Sequence, residues 1–88
     1  MASAQVKIQD LKNGINACGV CTHELQLTAQ QLQRDYMSAG SGGQDEQYKN
    51  LGQIVADSCT AILQPIPQLE NCQKWLQELA ALVEKYET

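Results

Sequence analysis

The sequence predicts an all-α protein, folded as an antiparallel helical hairpin, and three observations support this prediction. Apolar residues recur at alternating steps of three and four along most of the 88 residues. Gln, a good helix former, is frequent, whereas Phe is absent and strand-favouring residues are few. A glycine-rich segment near the middle divides the pattern into two arms. A chain of this length suffices for a single domain, residues 1–88.

The first arm is predicted to be one helix over residues 4–37. Its apolar seam steps by three and four without a slip, as in packed helix pairs. This seam consists of Ile8, Leu11, Ile15, Cys18, Thr22, Leu25, Ala29, Leu32 and Tyr36. Gly14 and Gly19 each weaken the helix by about 1 kcal/mol relative to Ala. The sequence therefore allows a local break over residues 13–19.

The turn is predicted over residues 38–43. Three glycines in four positions end the first helix, namely Gly40, Gly42 and Gly43. Gly40 suits a left-handed C-cap. Ser41 and Gln44 have the spacing of a capping box, and Asp45 then lies in the first turn, where the helix dipole favours acids.

The second arm is predicted as two helices, over residues 44–63 and 67–86, with a kink over 64–67. Pro65 and Pro67 cause the kink because proline lacks an amide donor and restricts the residue before it. Pro67 also suits the first position of the last helix. The two apolar stripes are Tyr48, Leu51, Val55, Ser58 and Ile62, then Leu69, Cys72, Leu76, Leu79, Val83 and Tyr86.

The two arms mirror each other about the glycine turn. If the chain reverses near residue 42, the numbers of facing residues sum to about 84. The predicted pairs are Tyr36/Tyr48, Leu32/Leu51, Ala29/Val55, Leu25/Ser58, Thr22/Ile62, Ile15/Leu69, Leu11/Cys72 and Ile8/Leu76. Mirrored seams of this kind favour a long hairpin. The alternative is a three-helix bundle, in which the segment from Pro65 to Pro67 reverses the chain.

The predicted core follows from these seams. It consists of Leu11, Ile15, Leu25, Leu32, Leu51, Val55, Ile62, Leu69, Leu76 and Val83. If Leu32 or Leu51 is fully buried, its replacement by Ala costs about 2–5 kcal/mol.

Composition narrows the function classes. The net charge of −4 argues against nucleic-acid binding, which needs clustered positive charge. The longest weakly charged stretch, residues 51–71, is interrupted by Asp57 and two prolines, so no membrane span is expected. The first ten residues contain no apolar signal-peptide region. With one His and no phosphate-binding glycine loop, the sequence predicts neither an enzyme nor a cofactor.

The four cysteines and His23 allow several interpretations. Cys18 and Cys21 form a C-x-x-C pair, and a zinc site would draw its other ligands from His23, Cys59 and Cys72. In the predicted hairpin, Cys21 and Cys59 are offset by about 6 Å along the axis, which makes a disulfide borderline. Cys18 and Cys72 can pair only if the Pro segment forms a compact turn. Otherwise the four cysteines are small apolar core side chains and His23 is solvated.

The pattern resembles the WXG superfamily of small type VII (ESX) secretion proteins, the early-secreted-antigen-like family. The resemblance lies in the turn and the start of the second arm, Gly42-Gly43-Gln44-Asp45-Glu46-Gln47-Tyr48, and in the last helix from Leu69 to Tyr86. Glycine stands where that family has its turn Trp. The resemblance implies a helical hairpin that is exported without a cleavable signal, or that acts as a small partner of LXG-type toxins. The implied turn motif here is Gly40, Gly42, Gly43, Asp45 and Tyr48.

A second apolar stripe predicts a partner. Trp75, Leu79, Leu82 and Tyr86 lie beside the seam of the last helix, and Val20, Leu27, Ile54 and Leu63 also lie off the seams. A lone hairpin has one interface, so a second apolar face usually packs on another helix. We therefore expect a homodimer, or a heterodimer with a related helical protein or an LXG-type toxin.

Three function hypotheses follow. The first is a non-enzymatic helical interaction protein, either a type VII secretion substrate or a targeting chaperone, cytoplasmic before export and then secreted or at the cell surface. The second is a metal-binding or redox module built on the cysteines. The third is a small phage or regulatory helical protein without a link to secretion.

Overall fold

The protein consists of three α-helices in the part of the chain that the structure describes. A computed structural model describes residues 7–40 and 45–87. The helices are α1 (Ile8–Ala39), α2 (Glu46–Leu63) and α3 (Ile66–Glu87), and no strand occurs among the described residues. The predicted all-α hairpin is confirmed, since α2 pairs with the second part of α1 and α3 pairs with its first part.

Helix α1 continues through the segment where a break was allowed. Gly14 and Gly19 are both helical, and neither has the positive φ that would mark a departure from the helix. All nine residues of its predicted seam are buried or half-buried. The spacing of apolar residues therefore predicted the inward face of α1 correctly.

Helix α2 begins at an aspartate cap. Asp45 has extended backbone angles, and its carboxylate accepts a hydrogen bond of 2.7 Å from the backbone N–H of Tyr48. This bond satisfies one of the free donors at the start of the helix. The predicted capping box of Ser41 and Gln44 lies outside the described residues, as do Gly42 and Gly43.

Two predictions for this turn and helix are wrong. Gly40 does not adopt the left-handed conformation; its N–H donates to the Tyr36 carbonyl at 3.2 Å, which extends the backbone pattern of α1. Leu51 is 45% exposed rather than buried. Gly52 lies inward in its place, because the inward face of α2 follows Tyr48, Gly52, Val55, Cys59 and Ile62.

The second arm breaks at Gln64 and Pro65, and α3 starts at Ile66. The break is shorter than the predicted kink, and Ile66 is buried. The inward face of α3 consists of Ile66, Leu69, Gln73, Leu76, Ala80 and Val83. Cys72, Leu79 and Tyr86 were expected on this seam and are exposed. The inward positions are occupied instead by Gln73 and Ala80, the residues that follow Cys72 and Leu79 in the chain.

The chain divides into two compact units. The turn unit runs from His23 to Ile66 and pairs the second part of α1 with α2. The terminal unit combines the chain up to Thr22 with the chain from Pro67, and pairs the first part of α1 with α3.

At one contact in each unit, the pairing of facing residues differs from the prediction. In the turn unit, the Cys59 thiol donates to the carbonyl of Ala29 at 3.5 Å, whereas Ala29 was expected to face Val55. In the terminal unit, Gln73 Nε2 donates to the carbonyl of Ile15 at 2.9 Å, whereas Leu69 was expected there. Both displacements equal four residues, or about 6 Å along a helix axis.

The core is thin. Among the described residues, five hydrophobic side chains are buried, namely Leu11, Ala29, Val55, Ile66 and Ala80, and no large side chain is fully buried. The predicted core residues Ile15, Leu25, Leu32, Ile62, Leu69, Leu76 and Val83 are half-buried. Each unit is a pair of helices, and one helix covers only one side of its neighbour's apolar residues.

None of the three helices in the described part combines the length and the apolar character that a membrane span requires.

Candidate functional site

The association stripe is an exposed row of large apolar side chains on α3, made of Trp75, Leu79, Leu82 and Tyr86. Their exposures are 70%, 40%, 49% and 80%. The spacing of four, three and four places all four on one face of the helix. Since the inward seam of α3 uses other residues, this stripe is a second apolar face, as the sequence predicted.

Other exposed apolar residues lie in both units. Val20 belongs to the terminal unit, and Leu27, Met37, Leu51, Ile54 and Leu63 belong to the turn unit. Single exposed apolar residues are normal on protein surfaces. The stripe differs from them because it holds the chain's one tryptophan and continues over three turns of a single helix.

The tyrosine pair, Tyr36 and Tyr48, joins α1 to α2 beside the turn. The two rings are stacked, with centroids 4.4 Å apart and planes inclined by 6°. Each hydroxyl donates to the other residue's backbone carbonyl, at 3.1 Å from Tyr36 and 2.9 Å from Tyr48. The predicted contact of these two residues is confirmed, and the reciprocal bonds fix the start of α2 against the end of α1.

The surroundings of Tyr48 favour its protonated form. Burial, followed by the hydrogen bond and charge interaction with Tyr36, raises the pKa of the Tyr48 hydroxyl above its ordinary value. A raised pKa means that the folded state holds this proton more tightly than the unfolded state. The pair therefore contributes its full stability below the ordinary tyrosine pKa of about 10, and loses it as the pH rises beyond that value.

Two glycines make room for the tyrosine pair, a role that the sequence pattern predicts for neither of them. A Cβ atom on Gly40 would overlap the ring of Tyr48. A Cβ atom on Gly52 would lie 2.9 Å from Cζ of Tyr36 and closer still to its hydroxyl. The signal in the sequence was a glycine inside an otherwise helical stretch, which often marks close packing.

We expect Gly52→Ala to destabilise the protein by up to about 2 kcal/mol. Overpacking against the rigid Tyr36 ring costs about 1–3 kcal/mol, which outweighs a gain of about 1 kcal/mol in helix propensity. Gly14→Ala is the matched control, because its Cβ would lie 3.1 Å from Cδ1 of Leu76, a flexible side chain that can move. Urea denaturation should show Gly14→Ala to be neutral or stabilising. Equal effects of both variants would contradict this role of Gly52.

The thiol cluster consists of Cys18, Cys21 and Cys72 in the terminal unit. Burial raises the pKa of the Cys18 thiol, and interactions with Cys72 and then Cys21 raise it further. Cys18 is half-buried, whereas Cys21 and Cys72 are exposed. The expectation that all four cysteines are core side chains is therefore wrong for these two exposed thiols.

The remaining cysteine predictions have different outcomes. Cys21 and Cys59 both carry free thiols, and their pairing stays a prediction. Within the described residues, no group of three or more His, Cys, Asp or Glu side chains is arranged to hold a metal ion. His23 is exposed, as the solvated interpretation expected.

Two open grooves in the turn unit adjoin Cys59 and Gln33. Their volumes are about 390 and 330 Å³. The other lining residues are Gln26, Ala29, Gln30 and Leu63 for the first groove and Tyr36, Met37, Gly52, Val55 and Ala56 for the second. Neither lining includes a carboxylate, histidine or lysine.

Comparison with known proteins adds no relative to this description. No family model matches the chain, and no curated protein or solved structure matches it either.

Proposed function

We propose that this chain is a non-enzymatic interaction protein that pairs with a second helical chain through the association stripe. The observation that carries the proposal is the 70% exposure of Trp75 within a continuous apolar row. Large aromatic residues dominate binding energy at protein interfaces. A row of Trp, Leu, Leu and Tyr at alternating spacing is the pattern that inserts into the grooves of a facing helix.

The thin core supports the need for a partner. Five hydrophobic side chains are buried among the described residues, and no large side chain is fully buried there. A second helical chain that covers the association stripe would therefore add to the stability of the folded state.

The resemblance to WXG proteins extends the proposal to a biological role. In this role the chain is a type VII secretion substrate, or a targeting chaperone for a larger toxin of the LXG type. The hairpin architecture and a helical partner surface are compatible with it. Genes for a type VII system or for an LXG-type toxin beside the gene for this chain would support the role, and their absence would favour a regulatory helical protein.

Analytical ultracentrifugation tests the pairing directly. We expect the purified chain to shift from monomer to dimer between about 1 and 100 µM, which corresponds to a binding free energy near 6–8 kcal/mol. A chain that stays monomeric throughout this range would contradict self-pairing. Titration with an LXG-type toxin fragment would then test the heterodimer, and the lack of a complex would contradict the proposed function.

A further inference from the structure

We propose that Cys18 and Cys72 form a redox site, in which an intramolecular disulfide ties α3 to α1 under oxidising conditions. The proposal concerns the chain's own covalent state and does not depend on pairing through the association stripe.

The contacts on either side of the two cysteines place them level with each other. The side chain of Gln73, which follows Cys72, donates to the carbonyl of Ile15 at 2.9 Å. Leu76, one turn beyond Cys72, lies next to Gly14, one turn before Cys18, since a Cβ atom added to Gly14 would be 3.1 Å from Cδ1 of Leu76. Cys18 and Cys72 therefore occupy corresponding positions on the paired helices, and Cys72 is near enough to raise the pKa of the Cys18 thiol, after the larger effect of burial.

Glycine on α1 leaves room for side chains of α3 to pack directly against the α1 backbone at this level. A Cβ atom added to Gly19 would lie 3.0 Å from Nε2 of Gln73, and one added to Gly14 would lie 3.1 Å from Cδ1 of Leu76. Helices with glycine at the contact approach more closely than helices that carry larger side chains there. A disulfide requires such an approach, because its Cα atoms lie at most about 6.8 Å apart.

The different exposures of the two thiols define the order of the reaction. With oxidised glutathione as the oxidant, the thiolate of the exposed Cys72 attacks one glutathione sulfur, forms a mixed disulfide and releases one glutathione thiolate. Cys18 loses its proton to solvent and attacks the Cys72 sulfur, which releases the second glutathione thiolate. Both released thiolates take up protons. In sum, two protein thiols are oxidised by two electrons and one glutathione disulfide is reduced to two glutathione molecules.

The Cys18–Cys72 link closes a loop across most of the chain, so it should stabilise the folded state. Disulfides of this kind contribute mainly by restricting the unfolded chain, and the contribution grows with loop length. We expect the melting temperature of the oxidised chain to exceed that of the reduced chain by about 8 °C or more.

Peptide mapping of the full chain after oxidation by glutathione disulfide identifies the link. Cleavage after glutamate separates Cys59, in residues 47–70, from Cys72, in residues 71–78, and leaves Cys18 and Cys21 together in residues 1–24. We expect a cross-linked species of 1–24 with 71–78 that is two hydrogen atoms lighter than the sum of the two peptides. The intact oxidised protein should have the mass of one chain less two hydrogen atoms. The C21S and C59S variants should retain this species, and C18S should lose it.

Four results would overturn the proposal. They are a link between 1–24 and 47–70, retention of the 71–78 link in C18S, a chain that carries glutathione on Cys72 without closing the disulfide, and a covalent dimer on a denaturing gel without reductant. If the oxidised chain has no higher melting temperature than the reduced chain, the disulfide does not stabilise the fold, even if it forms. Each result is readable on the wild-type chain or on a single conservative variant.

Discussion

Trp75→Ala should raise the dissociation constant of the paired protein at least tenfold while leaving its helicity largely unchanged. Tenfold corresponds to about 1.4 kcal/mol, and a central tryptophan at an interface often contributes 2 kcal/mol or more. Helicity should persist because the Trp75 side chain is 70% exposed and contributes little to the core. Sedimentation of the wild type and the variant over the same concentration series measures the change, and circular dichroism measures the helicity.

The matched control for this variant is Gln77→Ala. Gln77 is exposed on the same helix, two residues from Trp75 and on a different face. We expect no measurable change in association for this control. If both variants weaken association equally, the association stripe is not the interface, and a stronger effect of Ile54→Ala would point to the exposed apolar residues of the turn unit instead.

Leu11→Ala should destabilise the protein by about 2–5 kcal/mol, whereas Leu51→Ala should cost about 1 kcal/mol. The two variants lose the same atoms, but Leu11 is 6% exposed and Leu51 is 45% exposed. Because a small domain has only about 5–15 kcal/mol of stability, Leu11→Ala alone can populate the unfolded state. The sequence pattern placed both leucines in the core, so this comparison also tests the corrected inward face of α2.

Urea denaturation followed by circular dichroism measures both changes. The experiment should be run at one fixed chain concentration, because pairing adds to apparent stability. Similar losses for the two leucine variants would indicate that the paired protein covers Leu51. A small loss for Leu11→Ala would contradict its place in the core.

The faces of the helices could be read from the sequence to different extents. The seam of α1 was predicted at every position, because nine residues in unbroken steps of three and four leave one inward face. In α2 and α3 the prediction favoured larger apolar residues, Leu51 and Leu79, over the smaller Gly52 and Ala80 next to them. Small residues lie inward where two helices approach closely, and hydrophobicity alone does not indicate this.

The level of the helix pairing could not be read from the sequence pattern. If one helix shifts by one turn along its neighbour, the same face of each helix stays inward, since residues four apart share a face. Gln73 could thus replace Leu69 as the neighbour of Ile15 without changing which face of α1 is inward. The same shift in register determines whether the two cysteines of the candidate redox site can meet, because it moves Cys72 to the level of Cys18. The exposed stripe at Trp75 could be predicted, since it depends only on spacing within one helix.

The contacts between the arms have very different sequence separations, and this sets an order of folding. The tyrosine pair joins residues 12 apart, Cys59 and Ala29 are 30 apart, and Gln73 and Ile15 are 58 apart. Closing the longest of these loops directly costs about 1.4 kcal/mol more in chain entropy than closing the shortest. Once the turn unit has formed, however, the terminal segments start from positions near each other. The hairpin should therefore close from the tyrosine pair outward, and α3 should be the last helix to dock and the first to detach.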